Sequence, residues 1–510
     1  MKSRLVPAVL AAVLWLGPGA PPARGAEPAS SAPALLALRE KLRSAGHALD
    51  AKDYTTASQA LNEILDDDAF QDLSSGERYA AVVFATFSAV GRNDPLAAHG
   101  FAIAATSFLE AGAEVWRMRA GLAIQLEEWK DAAVSLTTLA NQWPTELTLF
   151  DPKSIDYVAS AMDDDPQLLD ARLDLIGALY TARYTVDFGF QPSYLWSDLA
   201  AAQLERRQLG LAQQILQRID EPQVLARMRI DRRFDPLVKA NPAAFDVTAV
   251  AKTRCTQIRK VVREHPHDLQ PLIEYMYAQY ATGEFKENLR LADQTLKAVI
   301  HAPKKKPPFD DVAEKLNWIY DIKAQSLRAL GRFDESLLVQ QQASALGASG
   351  GDKVSQAINL GFLFNEHGRP DEALKAIEGI DWGASLSSYG RMQLQHVRLR
   401  AYLQQGKRDE AETVLAYMRK NQKDAADNWQ TALLDWGDTD AAAALFIARL
   451  QDPQQRSDAL WSAQVFPQLP ALPQMEQENA RWEALMARKD VLAAIDAVGR
   501  REKIPLHTLQ

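Results

Sequence analysis

Leu360-Gly361, Phe364 and Gly368-Arg369-Pro370-Asp371-Glu372-Ala373-Leu374 are answered by Tyr402, Gly406-Lys407-Arg408-Asp409-Glu410-Ala411 and Leu415. In each copy an apolar, helix-spaced stretch ends at Gly, the chain turns in three residues, and a new helix starts. Glycine takes the left-handed conformation that closes a helix, and Asp-Glu in the next first turn suits the positive end of its dipole. Ala373 and Ala411 are 38 positions apart, near the roughly 34-residue period of helix-turn-helix repeats.

Outward from these copies the same phrase returns: a small or charged residue, one variable position, an apolar residue, two variable positions, then Ala. It stands at Lys52-Asp53-Tyr54 with Ala57, Glu127-Glu128-Trp129 with Ala132, and Arg207-Gln208-Leu209 with Ala212. It returns at Gly283-Glu284-Phe285 with Asn288 and Gly331-Arg332-Phe333 with Ser336. The last copies are Gly437-Asp438-Thr439 with Ala442 and Lys489-Asp490-Val491 with Ala494. Early gaps of 75, 80 and 76 residues are close to twice 38, and Gly91-Arg92-Asn93-Asp94-Pro95 reads as one intervening turn. A small residue at a fixed place implies that one helix of each pair crosses its neighbour closely.

The pattern resembles the tetratricopeptide repeat family, whose consensus places Trp, Leu-Gly, Tyr, Ala, an apolar residue and Pro at fixed offsets. The best-registered unit is Trp116, Ala120, Ala123, Ala132, Leu136 and Pro144. Trp196, Leu199, Ala200, Ala212 and Leu216 match a second, and Leu360, Gly361, Phe364, Ala373 and Ile377 a third. Asn288 and Ser336 depart from the small Ala, and Pro370 occupies an aromatic position. The resemblance implies an all-α fold: an α-solenoid of antiparallel helix pairs, each burying its apolar face on the next pair and leaving a long concave groove. The expected layout is a helical array over 35–300, a Lys/Pro linker over 301–309, a second array over 310–500 and a tail over 501–510. His301-Ala302-Pro303-Lys304-Lys305-Lys306-Pro307-Pro308 marks the linker, since its prolines break a helix.

Projecting the family's groove positions onto the better-registered copies selects Asp321, Gln325 and Arg328, then Ile358, Phe362 and Asn365, then His396 and Arg400. Mixed amide, guanidinium and apolar groups suit an extended protein or peptide segment. The Lys/Asn clamp that holds a C-terminal carboxylate in some family members is absent, because Ile358 and Phe362 stand there.

Charge supplies a second candidate surface. Residues 27–226 carry 15 basic and 29 acidic side chains, whereas 227–263 carry ten basic and three acidic, and Arg232 and Arg233 sit where the repeat is interrupted. This island reads either as a contact for an anionic polysaccharide, a lipid head group or an acidic partner, or as an internal match to the acidic first half. Trp382, Trp429, Trp436 and Trp461 lie off the consensus core position and read as packing or as a stacking surface for sugar rings.

Met1-Lys2-Ser3-Arg4, an apolar run over Leu5 to Leu16 and the small residues around Ala23-Arg24-Gly25 have the form of a secretory signal peptide over 1–25, followed by a Pro/Ala/Ser tether over 26–34. Twelve apolar residues span too little of a bilayer about 30 Å thick. Removing Lys2, Arg4 and Arg24 leaves 54 basic against 66 acidic residues, a net of −12, which disfavours nucleic acid as a general partner. Cys255 is the single cysteine, so no internal disulfide forms. There is no nucleophile motif and no phosphate loop, and His265-Pro266-His267 lacks a third ligand. The sequence therefore describes an exported, periplasmic, non-catalytic scaffold that takes no cofactor and no metal and recruits a protein or peptide in the cell envelope. A polysaccharide-associated role is the second reading.

Overall fold

The structure, a computed structural model, describes residues 32–163, 165–303, 306–345, 351–380 and 386–508, with the backbone alone over 351–353. The expected signal peptide, most of the tether, Lys304, Lys305 and Trp382 lie outside the described residues. The chain divides into two compact units, one ending at Asp187 and the other beginning at Phe188.

The first unit holds α1 (Ala32–Asp50), α2 (Tyr54–Leu65), α3 (Ser75–Gly91), α4 (Pro95–Ala105), α5 (Ala113–Gln125), α6 (Trp129–Gln142), α7 (Pro152–Ala161) and α8 (Leu169–Thr181). The second opens with α9 (Ser193–Glu205), α10 (Leu209–Leu216), α11 (Pro222–Ile230), α12 (Asp235–Ala240), α13 (Val247–Glu264), α14 (Leu269–Ala281) and α15 (Phe285–His301). It continues with α16 (Val312–Ala329), α17 (Phe333–Ala345), α18 (Gly351–Glu366), α19 (Pro370–Ala376), α20 (Ser388–Gln404) and α21 (Arg408–Lys420). It ends with α22 (Ala426–Trp436), α23 (Thr439–Gln451), α24 (Arg456–Ser462), α25 (Pro473–Met486) and α26 (Lys489–Val498).

The repeated phrase turns out to be one backbone device. Lys52, Glu127, Arg207, Gly283, Gly331, Gly368, Gly406 and Gly437 all have φ between 58° and 94°. The residue after each donates its N–H five residues back: Asp53 to Ala48, Glu128 to Ala123, Arg369 to Phe364 and Lys407 to Tyr402, at 2.8–2.9 Å. That six-to-one bond is the Schellman closure, which satisfies a carbonyl the helix end would leave open. Asn93, in the turn inferred between early copies, has φ 59° and its neighbour Asp94 bonds to Ala89 in the same way.

Five residues beyond each left-handed residue stands the small one, and all are 0–1% exposed: Ala57, Ala132, Ala212, Asn288, Ser336, Ala373, Ala411 and Ala442. The two polar members solve their burial identically. Asn288 Nδ2 donates to Met276 O and Ser336 Oγ to Ala324 O, both at 2.8 Å and both twelve residues back on the preceding helix. A buried polar group is tolerated where it finds such a partner. The final copy departs: Lys489, which stands where the others are left-handed, already opens the helix behind an N-cap at Arg488, and Val491 and Ile495 face the core in place of Ala494.

Pairs stack through their first helices: α14 on α16, α18 on α20, and α20 on α22. Close approach is written into Gly361, where an added Cβ would stand 2.8 Å from Val397 Cγ1. The Lys/Pro stretch lies inside the second unit. After it, the Asp311 carboxylate accepts the Leu269 and Gln270 N–H groups at 2.8 and 3.0 Å, closing the start of α14.

The end of the chain is packed where a tail was expected. Arg500 N donates to Ile230 O, Ile504 N to Val465 O and His507 N to Ala281 O, and Ile504 and Leu506 are buried. Before it, α25 leaves the stacking order and lies against α18, α22 and α23.

Candidate functional site

The first helices α16, α18 and α20 present a wall whose polar residues repeat with the array. Arg328 on α16 pairs with Glu366 on α18 at 2.6 Å, 38 residues apart, and both side chains are largely buried. Asn365 Nδ2 donates to Val397 O at 2.9 Å, and Gln404 Nε2 returns to Asn365 O at 2.9 Å. These bonds tie α18 to α20 through groups that apolar packing alone would leave unsatisfied.

One repeat on, His396 and Arg400 stand at i and i+4, on the same face of α20. Both converge on Asp435 in the last turn of α22: His396 Nε2 at 2.9 Å and Arg400 Nε at 2.8 Å, with Arg481 of α25 at 3.0 Å on the other carboxylate oxygen. Burial alone would raise Asp435, but the Arg400 guanidinium and His396 outweigh it and hold the carboxyl well below the usual carboxylate range. Burial and the neighbouring Arg400 charge press His396 below its ordinary value despite Asp435, and since a carboxylate only accepts, Nε2 is the donor of their bond.

Above this wall lies a cavity of about 900 Å³. Gln325, Arg328, Ile358, Phe362, His396 and Arg400, six of the eight groove positions selected from the repeat register, line it together. The other two do not. Asp321 is buried behind the wall, where burial pushes its carboxyl up to about 6 against hydrogen bonds from Asn359 and Gln340. Asn365 is buried as the α18–α20 tie.

Four lining or facing groups escaped sequence reasoning. Glu366 and Asp435 are the partners of Arg328 and Arg400, at the ends of first helices where the register marks no groove position. Met475 and Glu478 come from α25, which the repeat pattern assigns to a closing pair. The Arg400 guanidinium meets Glu478 at 3.0 Å and stands 5.7 Å from the Phe362 ring centroid. Burial, reinforced by Asp435 and Glu366, pushes Glu478 up to about 7 against Arg400 and Arg481. The wall's guanidiniums are committed to carboxylates, and Gln325, Asn359, Gln393 and Asn428 bring amides to the same cavity beside the Phe362 ring.

The basic island is tied down mainly by the end of the chain. Arg227 meets Asp458 at 2.6 Å, Arg229 meets Glu502 at 2.9 Å, and Arg232 Nε donates to Asp496 O at 2.8 Å. Arg233 folds onto its neighbour Asp231 at 2.7 Å, and Arg254 reaches acidic residues of the first half, Asp220 at 2.9 Å and Glu221 at 3.5 Å. Trp429 is buried in the core, and the rings of Trp436 and Trp461 are faced by Arg408 and Arg227. Cys255 is half-buried, and burial pushes its thiol up. Among the described residues no group of three or more His, Cys, Asp or Glu side chains is placed to hold a metal ion. No described helix is long and apolar enough to cross a membrane.

No family model matches the chain, and no curated protein matches it. Among solved structures it is similar to the Cut9–Hcn1 hetero-tetramer of APC/C, at 12% identity over 90% of this chain and 86% of that one, with a TM-score of 0.28. A Rap protein complexed with Competence and Sporulation Factor gives 11% identity over 88% and 99%, with a TM-score of 0.28. The TPR domain of P58(IPK) gives 12% over 79% and 99%, with a TM-score of 0.20. At these values the helix-pair architecture stands on the chain's own turns and crossings.

Proposed function

We propose that this chain is a non-catalytic scaffold that binds a protein or peptide segment on the wall formed by α16, α18 and α20, and that it works in the cell envelope. The cavity carries the reading. Groups from three successive repeats converge there, their charges internally neutralised and their amides arrayed beside an aromatic ring. A wall of amides beside an aromatic ring suits a protein or peptide segment that brings apolar and polar side chains to it. The envelope location rests on the signal-like residues 1–25.

The test is capture from envelope extract with wild type beside Gln325→Ala/Phe362→Ala/Gln393→Ala, three changes that remove no charged group. Defined proteins retained by wild type and lost by the triple variant support the reading. Identical retention overturns the surface. Turnover of peptidoglycan or another glycan by the purified chain, abolished by one acid-to-amide change, overturns the non-catalytic assignment.

A further inference from the structure

The first half of α25 lies in the groove. Met475, Glu478 and Arg481, at i, i+3 and i+6, fall on one side of that helix. They meet the wall in order: Met475 Sδ lies 3.9 Å from Arg328 Nη2, Glu478 pairs with Arg400 at 3.0 Å, and Arg481 pairs with Asp435 at 3.0 Å. The approach runs along the repeat turns, where a Cβ on Gly331 would meet Pro470 at 3.3 Å and one on Gly368 would meet Gln474 at 3.9 Å. A second cavity of about 450 Å³ lies alongside, and Arg400 and Glu478 line both. The front half of the helix thus lines both cavities, Met475 and Asn479 on the first and Gln474, Gln477 and Arg481 on the second.

The two halves of α25 are held differently. Leu485 and Met486 are fully buried in the apolar core with Val491 and Ile495, and Trp482 packs edge-on to Phe446. Ahead of Trp482 the hold is polar except for Met475, and the Arg481 side chain is 37% exposed. Apolar burial holds strongly, whereas Glu478 like Arg481 keeps part of its side chain exposed, 26%, so the helix is anchored at its back and latched at its front by partly exposed charged groups.

We propose that residues 473–481 are an internal occupant of the groove, and that the partner is a helical segment presenting the same groups in the same order. These are an apolar side chain, a carboxylate three residues on and a guanidinium three further, and the partner enters by taking the place of that half-helix. The proposal rests on the wall being the binding surface, and adds the partner's chemistry and an autoinhibited resting state. The groups facing Glu478 are Glu366 from α18, Arg400 from α20, Asp435 from α22 and its own neighbour Arg481.

The experiment reverses both latch charges in the full chain, Glu478→Arg/Arg481→Glu, with the single Arg481→Glu as a milder form should the double variant misfold. Hydrogen exchange compares the amides of residues 477–481 with those of 492–497. The expected result is at least about tenfold faster exchange at 477–481 in the reversed variant, with 492–497 unchanged. A fluorescent peptide of residues 470–487 is then titrated in trans. It should bind the reversed variant at least about tenfold more tightly than wild type, and a peptide carrying Glu478→Lys should not. Exchange that is identical in the two proteins, or equal binding of both peptides, overturns the proposal. If the latch opens and no peptide binds, the internal-occupant idea falls alone, since the wall itself is judged by the Gln325/Phe362/Gln393 capture.

Discussion

Replacing Asp435 with Asn tests the electrostatic frame of the wall. Asp435 is buried, with 4% of its side chain exposed, and receives His396 at 2.9 Å, Arg400 at 2.8 Å and Arg481 at 3.0 Å. Asn keeps the shape and one acceptor oxygen but removes the charge, leaving the interior Arg400 with Glu478 alone. Removing one partner of a buried ion pair costs about 3–5 kcal/mol, because the other charge stays desolvated. The second unit should lose stability in that range in urea denaturation at pH 7, followed by Trp fluorescence. The pH dependence is equally specific. Folding holds the Asp435 carboxyl below its unfolded value, so its contribution is complete above the ordinary carboxylate range and is lost only as pH falls through the depressed folded value. The Asp435 contribution should therefore persist at pH 5, where Asp435→Asn should still cost more than about 1 kcal/mol. A cost under about 1 kcal/mol, or one that vanishes by pH 5, would refute the claim that this carboxylate is ionised and neutralises the wall.

Glu478 gives the opposite sign. Its folded value is raised to about 7, so its contribution is full below the unfolded value of 4.5 and fades as pH rises through 7. Glu478→Gln should match wild type at pH 5 and exceed it by on the order of 2 kcal/mol at pH 8, read as urea midpoints at the two pH values. Ala411→Leu places a large side chain at a fully buried crossing and should cost about 1–3 kcal/mol in thermal or chemical unfolding. Glu127 holds φ 60° without being glycine, so Glu127→Gly should stabilise by about 1 kcal/mol and Gly406→Ala, at φ 70°, should destabilise by a similar amount.

The turns and the crossings were readable because each is set by local chemistry. A residue at positive φ and a small residue five positions later recur whatever surrounds them, and even Lys52, Glu127 and Arg207 could be placed from the residues around them. Most of the groove followed from the same register, since Gln325, Arg328, Phe362, His396 and Arg400 lie on the stacked first helices. Asp321 and Asn365 went astray by a fraction of a turn: neighbouring positions on a helix differ by about 100°, enough to carry a side chain from the wall to the core. Glu478 and Met475 were out of reach of any local rule. They arrive on α25 from more than 70 residues beyond Arg400, and only folding brings them to the wall. The partners of the basic island were out of reach for the same reason, because Asp458, Glu502 and the Asp496 carbonyl return from the far end of the chain to meet it.

The central claim is that the inner wall of the second unit is the binding surface. Site-specific photo-crosslinking in living cells tests it without knowing the partner. A benzophenone amino acid is placed at Gln325 or Gln393 in the cavity, and at Leu338 or Thr413 on exposed faces of second helices. Discrete adducts of the same mass from both cavity positions, and none from the outer ones, are what the account predicts. Adducts formed chiefly from Leu338 and Thr413 would place recognition on the outer face and contradict it.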